Sequence, residues 1–210
     1  MTLSYNHLNL PKLVGGTGTN LTLMYDALGN KLRMTSVLSG VTTVKDYLGG
    51  IEYSKVGAGS PIIEMVTTGD GYLQNNSGTF SYHYYSTDHL GNVRAVYKRG
   101  ASATVPEIIQ KQDYYPFGKT KALVTGGVNH YLYNGKERLP EISDQLDYGA
   151  RFYDPEIGRW KVVDPLAEKY SGVSPYAYAL NDPIFYIDPN GMEPDGNGAS
   201  NNYYFTGDDA

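Results

Sequence analysis

A chain of 210 residues is long enough for one or two ordinary domains with a core of their own. Having no cysteine, it has no disulfide, thiolate metal site or cysteine nucleophile, and its histidines, His7, His83, His89 and His130, are scattered without ligand spacing, so no metal and no cofactor is expected. The formal charge of -5 gathers mostly in the tail, where Glu193, Asp195, Asp208 and Asp209 meet no Lys or Arg; the nearly neutral body gives no reason to expect nucleic acid or an anionic membrane as partner.

The N-terminus, Met1-Thr2-Leu3-Ser4-Tyr5-Asn6, has neither a basic start nor an apolar stretch and does not read as a signal peptide. Nor does any apolar run approach the roughly 18 residues that a bilayer span requires. Tyrosine is abundant, at 21 residues, and large rings with a polar tip suit sheets with one wet face. A β-rich chain is the expectation.

Along the chain a loose unit recurs. Tyr5-Asn6-His7-Leu8-Asn9-Leu10-Pro11 is one copy, Tyr25-Asp26-Ala27-Leu28-Gly29-Asn30-Lys31-Leu32 a second, and Asp88-His89-Leu90-Gly91-Asn92-Val93 a third. In each, a turn built from Asp, Gly and Asn joins short apolar or β-branched runs, which is hairpin chemistry. Leu21–Tyr25 and Arg94–Tyr97 flank these turns as strands, and a spacing of about twenty residues between the first two copies points to a repeat stack that buries its core between neighbours. Tyr114-Tyr115-Pro116-Phe117-Gly118 reads as a further turn, Tyr131-Leu132-Tyr133 as a strand, and Gly135-Lys136-Glu137-Arg138 as another turn. Beyond Leu146 the punctuation is denser. One short helix is expected over Pro165–Tyr170, with Asp164 as N-cap and Pro165 first, and a second over Tyr176–Asn181. Residues 193–210 have no periodicity and read as a disordered tail.

Four Asp-Pro pairs, at Asp154, Asp164, Asp182 and Asp188, punctuate the last of these segments. Such a pair starts a turn by default, because proline pushes the preceding residue out of the helical region and the Asp side chain accepts a local backbone hydrogen bond. That reading is preferred for Asp154 and Asp182. Asp164 as a helix N-cap and Asp188 as the start of a Pro-Asn-Gly turn are the plain readings of the other two. Two carboxylates held together in a dry site offer an alternative, since one can stay protonated and act as acid while the other acts as base. Trp160 and the clustered tyrosines read as core and sheet packing. His89, inside a hairpin turn, reads as solvent-facing.

The repeated Tyr-Asp-x-x-Gly-Asn units, Tyr114-Tyr115-Pro116-Phe117-Gly118, and the run Tyr148-Gly149-Ala150-Arg151-Phe152-Tyr153-Asp154-Pro155-x-x-Gly158-Arg159-Trp160-x-x-x-Asp164-Pro165 carry a resemblance. So does Asn181-Asp182-Pro183-x-x-Tyr186-x-Asp188-Pro189-Asn190-Gly191-Met192. With these motifs the chain resembles the RHS repeat-associated core family of bacterial polymorphic toxins, loosely over residues 1–110 and closely over 111–192. Ala167 stands where many members have Gly.

The resemblance implies a mainly β fold, in which tyrosine-aspartate repeat hairpins form a curved β-sheet, a fragment of a hollow shell, with one or two short helices near the C-terminal core. It implies three segments: repeat-like hairpins over 1–110, the core domain over 111–192, and the tail over 193–210. The core would close one end of a shell that encloses a toxin, so the implied partners are a missing N-terminal shell or a C-terminal toxin segment, and the implied location is secreted or at the cell surface. In the family the core is also an aspartyl autoprotease. Matched by motif, Asp164 and Asp188 are the catalytic pair and Met192-Glu193 the scissile bond; the chemistry of such a site adds Gly191, which lets the backbone approach closely, and Arg159, to balance an aspartate's charge or dock the peptide. The function expected is therefore a scaffold that caps a toxin-enclosing shell and carries an autoproteolytic site. A working autoprotease that releases a C-terminal peptide is the enzymatic alternative. A Tyr-rich carbohydrate-binding repeat is a third, favoured by exposed aromatic rows on one sheet face.

Overall fold

The computed structural model describes residues 2–16, 19–102 and 104–196. The chain is mainly β and divides into two compact units, one running to Tyr84 and the other beginning at Tyr85. The boundary expected at 110/111 follows a change of motif rather than this division. Of the tail expected to be disordered, residues 193–196 are described and the rest lies outside the described residues.

The first unit is an antiparallel meander. Its strands are β1 (Thr2–Tyr5), β2 (Pro11–Gly16), β3 (Thr19–Tyr25), β4 (Lys31–Leu38), β5 (Val41–Leu48), β6 (Ile51–Val56), β7 (Ile62–Thr68), β8 (Gly71–Asn76) and the part up to Tyr84 of β9 (Thr79–Thr87), and spatial order follows chain order. Alternation selects one face for burial: Val14, Leu21, Leu23, Met34, Met65, Tyr72 and His83 are buried. On β9 the opposite positions, Phe80, Tyr82 and Tyr84, face outward. Across the β8–β9 pair, Tyr72 faces His83 in register and the rings stack at 4.7 Å.

The recurring unit takes one geometry wherever it occurs. Asp26 Oδ1 accepts the Leu28 and Asn30 amides at 2.8 and 2.9 Å, while Asp26 Oδ2 accepts Asn30 Nδ2 at 2.9 Å. Asp88 does the same with Leu90 and Asn92 at 3.0, 3.1 and 2.9 Å. Asn6 Oδ1 likewise accepts the Leu8 and Leu10 amides at 2.9 and 3.0 Å. The fourth position is left-handed in every copy, with φ of 59° at Asn9, 90° at Gly29 and 75° at Gly91, which explains why it is Asn or Gly.

The second unit carries β10 (Val93–Arg99), β11 (Pro106–Tyr114) and β12 (Thr120–Val124), paired antiparallel in that order. A small sheet follows, made of β13 (Glu137–Leu139), β14 (Gln145–Asp147), β15 (Phe152–Asp154) and β16 (Arg159–Trp160). Tyr133, Leu146, Tyr148, Tyr153, Trp160, Tyr178 and Ala179 form its core, with Tyr114, Phe117 and Tyr186 against it. The rings meet mostly edge-on or tilted, as the aromatic quadrupole favours; Tyr148 and Trp160, for example, lie 5.1 Å apart at 84°.

Several local expectations are corrected. Tyr131-Leu132-Tyr133 is not a strand: Tyr131 makes an isolated bridge to Glu137, and Tyr133–Gly135 is a 3-10 turn with Asn134 left-handed inside it. Glu137 and Arg138 belong to a strand instead of a turn. The helix expected over Pro165–Tyr170 is a 3-10 turn over Ala167–Tyr170, preceded by Leu166, because Asp164 Oδ1 accepts the Leu166 amide at 2.7 Å and closes a tighter local turn first. The second expected helix reduces to a 3-10 turn over Ala179–Asn181. Left-handed φ values of 48°, 54° and 63° at Ala179, Leu180 and Asn181 forbid any right-handed continuation.

Candidate functional site

Two Asp-Pro pairs remain turn formers. Asp154 Oδ1 accepts the Glu156 amide at 2.9 Å, closing the Asp-Pro-Glu-Ile-Gly turn of the β15–β16 hairpin, and the Asp182 carbonyl accepts the Tyr186 amide at 2.9 Å. The other two converge. Asp164 Oδ2 and Asp188 Oδ2 lie 2.8 and 3.4 Å from the same atom, Nη2 of Arg151.

Arg151 is the organising residue of this centre. It directly precedes β15 and is 1% exposed, and every edge of its guanidinium is used. Nε donates to the Gly191 carbonyl at 2.5 Å and Nη1 to the Pro175 carbonyl at 3.3 Å, while Nη2 serves both aspartates. One face of the plane lies 4.1 Å from the Trp160 ring centroid. A planar fork with five donors suits this task; a lysine would not. Burial pulls the guanidinium below its ordinary value, and the two carboxylates act against that pull.

Asp188 is 2% exposed. Its Oδ1 accepts the amides of Gly191 at 2.8 Å and Met192 at 3.1 Å, a tight turn that the Gly191 φ of 78° permits. Burial pushes its carboxyl above the ordinary aspartate value, against the opposing effects of Arg151 and the amides of Gly191, Met192 and Asn190. Asp164 is better exposed and sits closer to Arg151, so it is the better compensated carboxylate.

A cavity of about 20 Å³ opens between them, lined among others by Arg151, Asp164, Tyr170, Pro175, Asp188 and Pro194. That volume holds about one water. The chain on both sides of Met192-Glu193 is tied down. Upstream, Lys136 Nζ donates to the Pro189 carbonyl at 2.6 Å. Downstream, the Glu193 carboxylate accepts from Lys169 and from Tyr170 Oη, and Asp195 forms a two-bond bridge with Ile187. The Lys169 cation holds the Glu193 carboxyl below its ordinary value.

The sequence-derived set is thus partly assembled here. Asp164, Asp188, Gly191, Met192 and Glu193 lie at or beside one centre, whereas Arg159 is exposed on β16. Arg151, not Arg159, stands between the carboxylates. One signal for it lay in the sequence: an Arg enclosed in Tyr148-Gly149-Ala150-Arg151-Phe152-Tyr153, where aromatic neighbours foretell burial. Among the described residues no group of three or more His, Cys, Asp or Glu is placed to hold a metal ion, and no helix is long and apolar enough to cross a membrane.

No family model matches the chain. It is 34% identical over 125 residues to salivary gland surface protein 1 of Aedes aegypti, covering 58% of this chain and 3% of that one. It is 33% identical over 93 residues to toxin subunit YenC1 of Yersinia entomophaga, covering 42% of this chain and 9% of the subunit. Among solved structures, the TcdB2-TccC3 crystal structure matches 91% of this chain and 10% of its own with a TM-score of 0.72 at 22% identity. The Photorhabdus luminescens Tc holotoxin pore matches 92% of this chain and 10% of its own, with a TM-score of 0.71. The chain spans at most a tenth of the length of these proteins. Its relatives include Tc toxin subunits, and its fold is the β-hairpin sheet that the resemblance to RHS-type shells implies.

Proposed function

We propose that this chain is the core segment of an RHS-type toxin shell, a scaffold that closes one end of the shell and carries a self-cleavage site at Met192-Glu193. The observation that supports it most is the convergence of Asp164 and Asp188 on one guanidinium beside a cavity the size of a water, whose lining includes Asp188 and Pro194 on the two sides of that bond in the chain. The implied partners, a preceding shell and a following toxin segment, and the secreted or cell-surface location belong to this reading.

The reaction assigns different roles to two carboxyls in different surroundings. Asp164, whose Oδ2 lies 2.8 Å from Arg151 Nη2, takes a proton from a water in the cavity as the water oxygen attacks the Met192 carbonyl carbon. Asp188, whose carboxyl burial favours in the neutral form, supplies a proton to the carbonyl oxygen. Collapse of the tetrahedral intermediate breaks the C–N bond. The proton that Asp164 took passes to the departing Glu193 amine, and a hydroxyl proton of the intermediate returns to Asp188, which leaves a carboxyl group at Met192 and both aspartates as they began. Arg151 keeps the two acids in place and holds the Gly191 carbonyl next to the reacting bond.

Intact mass after expression tests the reading. Loss of the segment after Met192 in the native chain, and its retention in Asp164→Asn and Asp188→Asn, supports cleavage. An uncut native chain at neutral and mildly acidic pH removes the enzymatic role and leaves the scaffold. Acid hydrolysis at Asp-Pro bonds is separable, because it cuts after Asp154, Asp164, Asp182 or Asp188 and gives different masses.

One observation favours a second reading, a carbohydrate-binding face. Phe80, Tyr82 and Tyr84 stand exposed on alternate positions of β9, with the Tyr82 and Tyr84 rings stacked at 6.1 Å. Titration calorimetry with soluble oligosaccharides would show heat that Tyr82→Ala abolishes; absence of heat across neutral and acidic glycans ends that reading.

A further inference from the structure

We propose that Asn134 is a positioning residue for the aspartate centre, coupling the last repeat turn to Arg151 through the buried tyrosines. This deepens the cleavage reading and rests on it for its meaning, though not for its geometry. Asn134 has φ 49° and ψ 27°, a left-handed conformation that Asn adopts more readily than most residues.

From that pose its side chain reaches two directions. Oδ1 accepts the hydroxyls of Tyr148 at 2.8 Å and Tyr178 at 2.7 Å. Nδ2 donates to the Leu90 carbonyl at 3.0 Å and to Asn92 Oδ1 at 3.2 Å, and the Asn134 amide donates to the same Asn92 oxygen at 2.8 Å. Asn92 is itself fixed by Asp88 in the repeat turn.

Beyond the tyrosines the path is continuous. Trp160 lies 5.1 Å from Tyr148 and 5.6 Å from Tyr178, and Arg151 lies over Trp160. Immediately after Tyr178, Ala179 and Leu180 line the cavity in left-handed conformations that are costly without glycine. Such a backbone persists where its flanks are over-determined, and the Tyr178 hydroxyl bond is one of the constraints that hold it. Removing Asn134 Oδ1 takes from both tyrosine hydroxyls the acceptor they share and leaves the longer contact between them, at 3.3 Å. The cluster then repacks, and Arg151 moves with Trp160.

The full chain provides the test, with three readouts. Trp160 is the single tryptophan, so its emission reports this cluster alone. Carbon NMR of Asp188 follows its titration, and mass spectrometry follows cutting at Met192-Glu193. Asn134→Gly keeps the left-handed backbone and deletes the side chain. It should shift Trp160 emission, move the Asp188 titration and slow cutting about tenfold or more. Asn134→Asp retains the acceptor for both tyrosines but sets a carboxylate oxygen against the Leu90 carbonyl and Asn92 Oδ1, so it breaks the link to the repeat turn and should move the same readouts; native readouts in it count against the coupling. A native emission spectrum and Asp188 titration in Asn134→Gly overturn the proposal. Should that variant fail to fold, the Tyr148→Phe/Tyr178→Phe pair keeps both rings, deletes both hydroxyls, and must give the same shifts. A native chain that never cuts defeats the cleavage reading, while the spectrum and the titration still decide the positioning role.

Discussion

At the scale of single residues, Arg151 carries the heaviest consequence. Arg151→Met would leave Asp164 without its cation and the Gly191 and Pro175 carbonyls without their donor. Breaking a buried pair in this way costs about 4 kcal/mol. Urea unfolding should show that loss, and Arg151→Lys should recover less than half of it, because a point charge cannot serve four acceptors in a plane. Asp188 adds a pH dependence of definite sign. Burial raises its folded value above 3.8, so the folded chain binds this proton more tightly than the unfolded one. The stability it contributes is fully present below 3.8 and is lost as the pH rises through the folded value. Native stability relative to Asp188→Asn should therefore fall as the pH rises through that window, and a flat difference in urea unfolding across it contradicts the burial argument. The Asp-Pro motif marks four aspartates alike, and it is the resemblance to the RHS core that singles out Asp164 and Asp188. The cation of this centre was harder to read, since choosing between Arg151 and Arg159 depends on which side of a short hairpin faces inward.

At the scale of elements, the repeat turn is the most transferable feature and offers an internal control. Asp26 and Asp88 make the same set of bonds, but the Asn92 that Asp88 holds also receives Asn134, while Asn30 sits in an exposed turn. Asp88→Ala should cost about 2 kcal/mol, and clearly more than Asp26→Ala; equal midpoints in urea would show that the link to Asn134 contributes nothing. Gly118, at φ 85°, is a second test. A Cβ there would meet the Tyr133 ring at 2.6 Å, and Tyr133 is fixed by its hydroxyl bond to the Pro116 carbonyl at 3.1 Å. Gly118→Ala should cost about 3 kcal/mol by thermal unfolding, from strain and overpacking together. Hairpin turns were readable because Asp, Asn and Gly at fixed offsets dictate their own hydrogen bonds. Helices were over-predicted because a proline after a capping residue is an equally good start for a 3-10 turn. The Asp164 bond to the Leu166 amide decides the first, and the left-handed run at Ala179–Asn181, which three such residues do not announce, decides the second.

At the scale of the whole molecule, tyrosine is distributed between two environments that composition alone could not separate. The sequence of β9, Thr79-Phe80-Ser81-Tyr82-His83-Tyr84-Tyr85, shows a period of two, yet aromatic residues stand at both parities, so the pattern marks a strand without saying which face is covered. In the structure Tyr82 and Tyr84 face out, whereas Tyr72, Tyr133, Tyr148, Tyr153 and Tyr178 are buried. Burial pushes Tyr72 up to about 12 and holds Tyr148 and Tyr178 well above the ordinary tyrosine value of 10.0. With the folded value raised, the stability these rings contribute is fully present below pH 10.0 and is lost as the pH rises through their folded values. Tyrosinate absorbance should therefore rise in two stages. One of them belongs to the buried set, which ionises only as the sheet signal in circular dichroism is lost. In urea the two stages should merge into one. A folded chain whose tyrosines all titrate together at the ordinary value would mean that the aromatic cluster around Trp160 is wet, and Arg151 would then lack the dry environment that its role requires.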